Sequence, residues 1–358
     1  MISYITKKII YAFFVLWGVI TVVFFLFNIL PGDSSRMLMG QRSDLQTLQA
    51  IRHDLGLDKS IMERYAKYLN DLSPLSVHSL SKSSFYYFDS SNYSSAIRIL
   101  SVSNKILVVK TPYLQRSFQS KKTVSSVLSN TFFNTLILAL VSIFLASVIG
   151  IILGVWAALY KNSWYDRLIL VFTSMGMALP SFFAAILFAW LFAYKWSWWT
   201  HLDLTGNLVE LDDYGNELKY HWKNLILPSI TLGIRPLSVV LQLSRNAMLD
   251  VLSQDYIRTA KAKGLSSSKV IFKHALKNAM NPVITSISGW LAGMLAGVVF
   301  VEYIFGWKGL GYVVVEGVNN YDIPIVIGVV INISIVFVII TLLVDLLYVL
   351  LDPRVKLD

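Results

Sequence analysis

The 358-residue chain has no cysteine, which excludes a disulfide framework and any thiolate metal site. Its five histidines, His53, His78, His201, His221 and His274, show no metal-ligand spacing. There is no Gly-x-x-x-x-Gly-Lys-Ser/Thr phosphate loop and no Gly-x-Ser-x-Gly elbow, so neither nucleotide hydrolysis nor that type of acyl chemistry is expected of this chain. Charge is also scarce, at 15% of residues against 55% hydrophobic. A mean hydropathy of +0.60 is too apolar for a soluble globular protein, so the sequence reads as a membrane protein. The formal net charge of +10 then belongs to loops that face anionic lipid rather than to a nucleic-acid surface.

What is present is a series of long apolar runs. Lys7 and Lys8 precede a run from Ile9 to Leu30, long enough to cross a bilayer and too long for a cleavable signal core. Further spans are expected at about 131–160, 168–194, 226–249, 283–303 and 323–351. Six spans put both termini inside, with the longer basic loops on the same side. The third span is interrupted at Pro180, which predicts a kink, because proline removes a backbone donor. The fifth holds Gly289, Gly293 and Gly297, a spacing that favours close helix packing or a path-lining face. Arg235 and Arg245 lie in the fourth span. Arg245 is near enough to its inner end to reach the head groups, whereas Arg235 must face protein, water or the outer interface. Asp345, about two turns from the end of the last span, suits a cap or an interhelical hydrogen bond.

Between the first two spans the chain is polar and too long to be unstructured, so residues 31–125 are expected to fold outside the membrane. Ser43 to Asn70 reads as helical, and Phe85 to Phe88, Ala96 to Leu100 and Ile106 to Val109 as short strands. A second outer loop, 195–223, carries Trp196, Trp198 and Trp199 as interfacial anchors, and an acidic middle.

The organising stretch is polar and lies at 251–282. Ile257, Ala260 and Gly264 form a narrow, smooth face that another protein could approach closely, and Gly264 suits the positive φ that ends a helix. After a cap at Ser266 or Ser267, Lys269, Lys273 and Lys277 recur as one basic stripe opposite Val270, Ile271 and Ala275. Pro282 then opens the next apolar run.

The wording Tyr256-Ile257-Arg258-Thr259-Ala260-Lys261-Ala262-Lys263-Gly264, followed by His274, Asn278 and Pro282, resembles the coupling loop of permease subunits of ATP-binding-cassette (ABC) importers. It is similar to the B-type permeases of the dipeptide and oligopeptide branch in particular. The segments 51–69, 179–183 and 302–311 and the ending from Asp345 through Tyr348 and Asp352 to Arg354 resemble the same branch, with Lys308 where that pattern has proline, which predicts a looser turn. Residues 73–118 do not follow it.

The resemblance implies an all-α polytopic fold, the six-helix type I importer permease, with a mixed extracytoplasmic subdomain between helices 1 and 2. Its parts are 1–30 with the first helix, 31–125 as that subdomain, and 126–358 as the permease core. It implies an ATPase-coupling role for Tyr256, Ile257, Arg258, Thr259, Ala260, Lys261, Lys263, Gly264, His274 and Asn278. Partners would be a second homologous permease in a heterodimer, two cytoplasmic ATP-binding subunits and an extracytoplasmic peptide-binding protein, in a prokaryotic plasma or inner membrane. ATP and Mg would be used by the ATPases, with no cofactor held by this chain. The expected function is uptake of di- and oligopeptides by alternating access, with Arg235 as a candidate contact for substrate carboxylate. The alternatives are an importer for nickel or another solute, and an ion-coupled secondary transporter. The latter calls for paired intramembrane carboxylates or an internal repeat.

Overall fold

The computed structural model describes residues 2–29, 56–93, 95–211 and 217–351. The chain divides into two compact units. One comprises Met1–Ala12, Thr131–Tyr312 and Ile333–Asp358, the other Phe13–Asn130 and Val313–Asn332.

Four helical stretches among the described residues are long and apolar enough to cross a membrane: Thr6–Asn28, Val124–Leu159, Trp222–Leu252 and Ile323–Asp345. A fifth arises if Trp164–Ala178 and Ser181–Lys195 are one span, for they are bent by 111°. The break falls at Leu179 and Pro180, so the expected kink is a sharp bend. The expected fifth span, 283–303, is not one apolar helix. The chain is helical over Leu276–Gly297, with Pro282 inside, and again over Val299–Ile304. Ser286, Ser288, Gly289 and Gly293 dilute its apolar character.

In the first unit, helix Ile226–Leu252 is the central element, with twelve buried residues. Its neighbours meet it through glycines. A Cβ at Gly154 would lie 2.5 Å from Leu241 O, one at Gly150 2.9 Å from Val240 Cγ1, and one at Gly176 2.3 Å from Ser238 Oγ. At Gly154 the nearest atom is backbone, and only a residue without a side chain allows so close an approach. By contrast, nothing lies within 4 Å of a Cβ built at Gly289 or Gly293. Gly150, Gly154 and Gly176 therefore pack closely within this chain, whereas Gly289 and Gly293 of the expected triad stand open in it and the surroundings of Gly297 lie outside what is described. An apolar core of Leu138, Ala185, Leu232, Met294, Val301, Phe305 and Trp307 fills this unit.

In the second unit, helix Ile61–Leu72 opens with a capping box in which Glu63 N–H donates to Ser60 Oγ and Ser60 N–H to the Glu63 carboxylate. Its apolar face carries Ile61, Tyr65, Tyr68 and Leu72, which pack with Ile20, Val23, Phe24, Ile327 and Ile331. Within the expected helix Ser43 to Asn70, positions 43–55 lie outside the described residues. Three antiparallel strands follow, β1 Leu75–Ser79, β2 Ala96–Val102 and β3 Lys105–Lys110, in the order β1-β3-β2. Two of the expected strands match β2 and β3. The third does not, since Phe85 to Phe88 is turn with a single bridge from Tyr87 to Ser79, and the strand is Leu75–Ser79. That strand buries Ser76 and His78 and exposes Leu75 and Val77, the reverse of a hydropathy pattern.

Candidate functional site

The polar loop folds as two helices about a turn. Helix Asp255–Ala262 runs into Gly264, whose φ of +73° lets the chain reverse, with Gly264 N–H donating to Lys261 O. Ser266 stands at the cap position of the next helix without a side-chain cap bond. That helix starts at Ser267–Lys269, passes through a wider π-type turn at Val270–Ala275 and continues as Leu276–Gly297. Lys269, Lys273 and Lys277 are all exposed, while Val270 and Ala275 are buried.

The inner side of the first helix is Ile257 and Ala260. Both are buried, in one cluster with Val155, Ala158, Met248, Val270, Ala275 and Ala279. Of the smooth face read from the sequence, Ile257 and Ala260 are thus spent on the chain's own core while Gly264 stays exposed, and the small Ala260 side chain lets the helix lie close to that core. Tyr256, Arg258, Thr259, Lys261, Lys263 and Gly264 are the outward residues. Asn278 Nδ2 donates to Tyr256 Oη at 2.9 Å, which ties the two helices of the loop together, and to His274 O at 3.1 Å one turn before it. Thr259 Oγ1 donates to Asp255 O at 3.0 Å. Arg258 and Asp255, 3.5 Å apart and exposed, add little as an ion pair.

Beside this loop, Arg245 makes a forked pair with Asp166, Nε to Oδ1 at 2.6 Å and Nη2 to Oδ2 at 2.8 Å. Asp166 also accepts from Asn162 N–H at 2.9 Å. Arg245 was expected to reach for the head groups. A planar fork against a buried carboxylate is the better-organised partner, and removing either member of such a pair costs about 3 to 5 kcal/mol.

Residues 150–357 match the profile of the binding-protein-dependent transport system inner membrane component, and residues 1–84 that of its N-terminal region. The chain belongs to this permease family. It is 30% identical over 99% of both chains to the glutathione transport system permease protein GsiC of Salmonella paratyphi A. It is 29% identical, at the same coverage, to GsiC of Escherichia coli K12. A chain of the MetNI methionine ABC transporter, in an inward-facing crystal form, shares the fold with a TM-score of 0.52 at 15% identity, over 64% of this chain and 97% of that one. The permease is thus a non-catalytic membrane subunit of the dipeptide and oligopeptide branch of ABC importers, built on the type I fold. Such a subunit works with a partner permease, ATPase subunits and a substrate-binding protein.

The segment 302–311 is a turn tied by several side-chain hydrogen bonds. Glu302 is fully buried and accepts from Thr135 Oγ1 at 2.7 Å, Gly311 N–H at 2.7 Å and Tyr312 N–H at 3.2 Å. Trp307 Nε1 donates to Asn134 O at 3.0 Å. Lys308 N–H donates to Asn207 Oδ1, a bond that proline has no hydrogen to make. The looser turn expected from Lys308 is therefore not found, because the residue that replaces proline contributes the donor.

Arg235 is exposed on its helix, and no hydrogen bond or ion pair to it occurs among the described residues. Asp345 pairs with Lys8 at 2.7 Å, the interhelical contact its position suggested. Sequence reading missed Asp166, Thr135, Asn134 and Asn207. A lone acid in the basic stretch 161–167 was the available signal for the first, and none marked the others.

Proposed function

We propose that this permease takes up small peptides, forming the translocation path as a heterodimer with a second, homologous permease. The GsiC relatives, named for glutathione transport, support a peptide-like solute. Both termini and the loop 251–282 lie on the cytoplasmic side in this reading, and the subdomain within 31–125 faces the delivering peptide-binding protein. ATP and Mg are consumed by the partner ATPases.

The observation that carries the coupling role is the division of loop 255–278 into a seated face and a free one. Ile257 and Ala260 fix the helix to the permease core, so that a push on Tyr256, Arg258, Lys261, Lys263 or Gly264 is passed to helices Ile226–Leu252 and Leu276–Gly297. Coupling needs a surface whose contacts differ between two states of the ATPase, and an exposed face on a rigid seat meets that need. Arg235, exposed and without an ion pair among the described residues, is the contact we assign to substrate carboxylate. Gly289, Gly293 and Gly297 are assigned to the face toward the second permease or the path, the first two because this chain leaves them open.

The test is ATP-driven uptake of labelled glutathione and dipeptides in vesicles carrying the reconstituted complex. Gly264→Arg is expected to abolish uptake while the subunits still assemble. Full uptake by that variant would remove the coupling assignment, and uptake that follows an ion gradient without ATP would remove the importer mechanism for this chain.

A further inference from the structure

The second unit contains a cavity of about 380 Å³, within the size range of small-ligand sites. Its charged lining is one-sided: Arg64, Lys67, Arg116 and Lys121 against the single carboxylate of Asp71. The cations among them contact neutral groups. Arg64 donates to Asn28 Oδ1. Arg116 donates to Asn92 Oδ1 at 3.4 Å and Ser91 O at 3.2 Å. Lys67 Nζ stands 4.2 Å from the centre of the Phe85 ring. None of the four forms an ion pair among the described residues.

Asp71 does not balance them. It is buried, and it shares its field between Lys67 and Lys110, whose ammonium donates to the Asp71 and Ser73 carbonyls. Like charges gathered around one cavity repel, and a bound anion turns that repulsion into attraction. The lining also has an apolar part, with Phe24, Tyr68 and Ile327 from the cluster that seats helix Ile61–Leu72.

We propose that this cavity binds a small organic anion, its carboxylate or phosphate held among Arg64, Lys67, Arg116 and Lys121 and its apolar part against Phe24, Tyr68 and Ile327. An acidic peptide or a phospholipid headgroup supplies that chemistry. The site is separate from the translocation role proposed above and does not depend on it.

The experiment is titration calorimetry on the delipidated transporter complex, with two probes: the dipeptide Asp-Phe and dihexanoyl phosphatidylglycerol. At least one is expected to bind, with an affinity that falls as salt rises, while Asp-Phe with both carboxylates amidated does not bind. Charge-assisted contacts of this kind make the Arg116→Ala, Lys121→Ala double variant bind roughly tenfold or more weakly. Both side chains are exposed, so the variant keeps its fold. Binding of the peptide alone identifies a solute subsite, and binding of the lipid alone a headgroup site. If neither probe binds, or if the double variant binds as the parent does, the proposal is wrong. Uptake that fails while anion binding persists would count against the translocation reading and leave this site standing.

Discussion

The two polar parts of this apolar permease are built inside out with respect to each other. The loop 255–278 buries Ile257, Ala260, Val270 and Ala275 and turns its lysines and arginine outward. The sheet β1 to β3 buries Ser76, His78 and Lys110 and turns Leu75, Val77, Ile97, Ile99 and Leu100 outward. The first is an ordinary amphipathic arrangement whose seat rests on hydrophobic burial. The second holds its inner face by hydrogen bonds, Ser76 Oγ with His78 Nε2 at 2.9 Å and Lys110 to two backbone carbonyls, around a small core of Phe88, Ile106 and Val108. A seat made of apolar contacts yields to any charge placed in it. A polar inner face responds instead to pH and to lost partners.

The largest effect is expected from Ile257→Asp, which places a carboxylate at a fully buried position with no partner. A loss of about 3 kcal/mol or more in the stability of the loop's seat should follow, with uptake lost as well. Limited proteolysis of the region 255–278 measures it. Resistance equal to the parent would mean that the loop does not depend on its apolar face.

A smaller effect concerns pH and the sheet's polar interior. Burial pushes the Asp71 carboxyl up to about 6. The folded unit therefore keeps that proton where the unfolded chain has lost it, and this contribution favours folding at low pH and is lost as pH rises toward 6. Burial, with the Lys110 and Lys67 charges, pushes His78 down to about 4. Its contribution is present above the ordinary imidazole value of 6.5 and is lost as pH falls toward 4. The two slopes oppose one another across the same window. Asp71→Asn should therefore leave the His78 slope uncompensated, so that acidification from pH 6 to 4 costs about 2 kcal/mol more than in the parent. Thermal unfolding followed across that window is the measurement. An unchanged profile would mean that Asp71 is not held away from water.

The smallest effect on stability belongs to Arg258→Ala in the loop. Arg258 is exposed, and its contact with Asp255 is a surface pair, so the midpoint of thermal unfolding should stay within about 1 °C. ATP-driven uptake should nevertheless fall, because the residue stands on the free face. Unfolding that shifts by several degrees would place Arg258 in the seat instead, and the contrast between the two faces would blur.

Much of this was legible in the amino-acid order. The apolar runs gave Thr6–Asn28, Trp222–Leu252 and Ile323–Asp345 close to their expected places, because a span needs only length and hydropathy. Gly264 was readable as a helix end, since few other residues tolerate its φ. β1 was not, because its buried residues are Ser76 and His78 and their partners, Val108 and Ile106, lie some thirty residues away. The orientation of Ala260 was hidden for a related reason. A small residue on an apolar face marks close approach without saying which surface approaches.

The sequence by itself therefore determined the class of the molecule, most of its apolar helices, the two-helix loop and the permease family, all of which rest on local composition, periodicity and short motifs. Only the tertiary structure decided which glycines pack, that Arg245 answers Asp166, that Lys308 supplies a donor and that four cations meet around one cavity. Those are pairings between residues far apart in the chain. Whether two such groups meet depends on how the helices cross and where a turn is tied, and no local pattern records that.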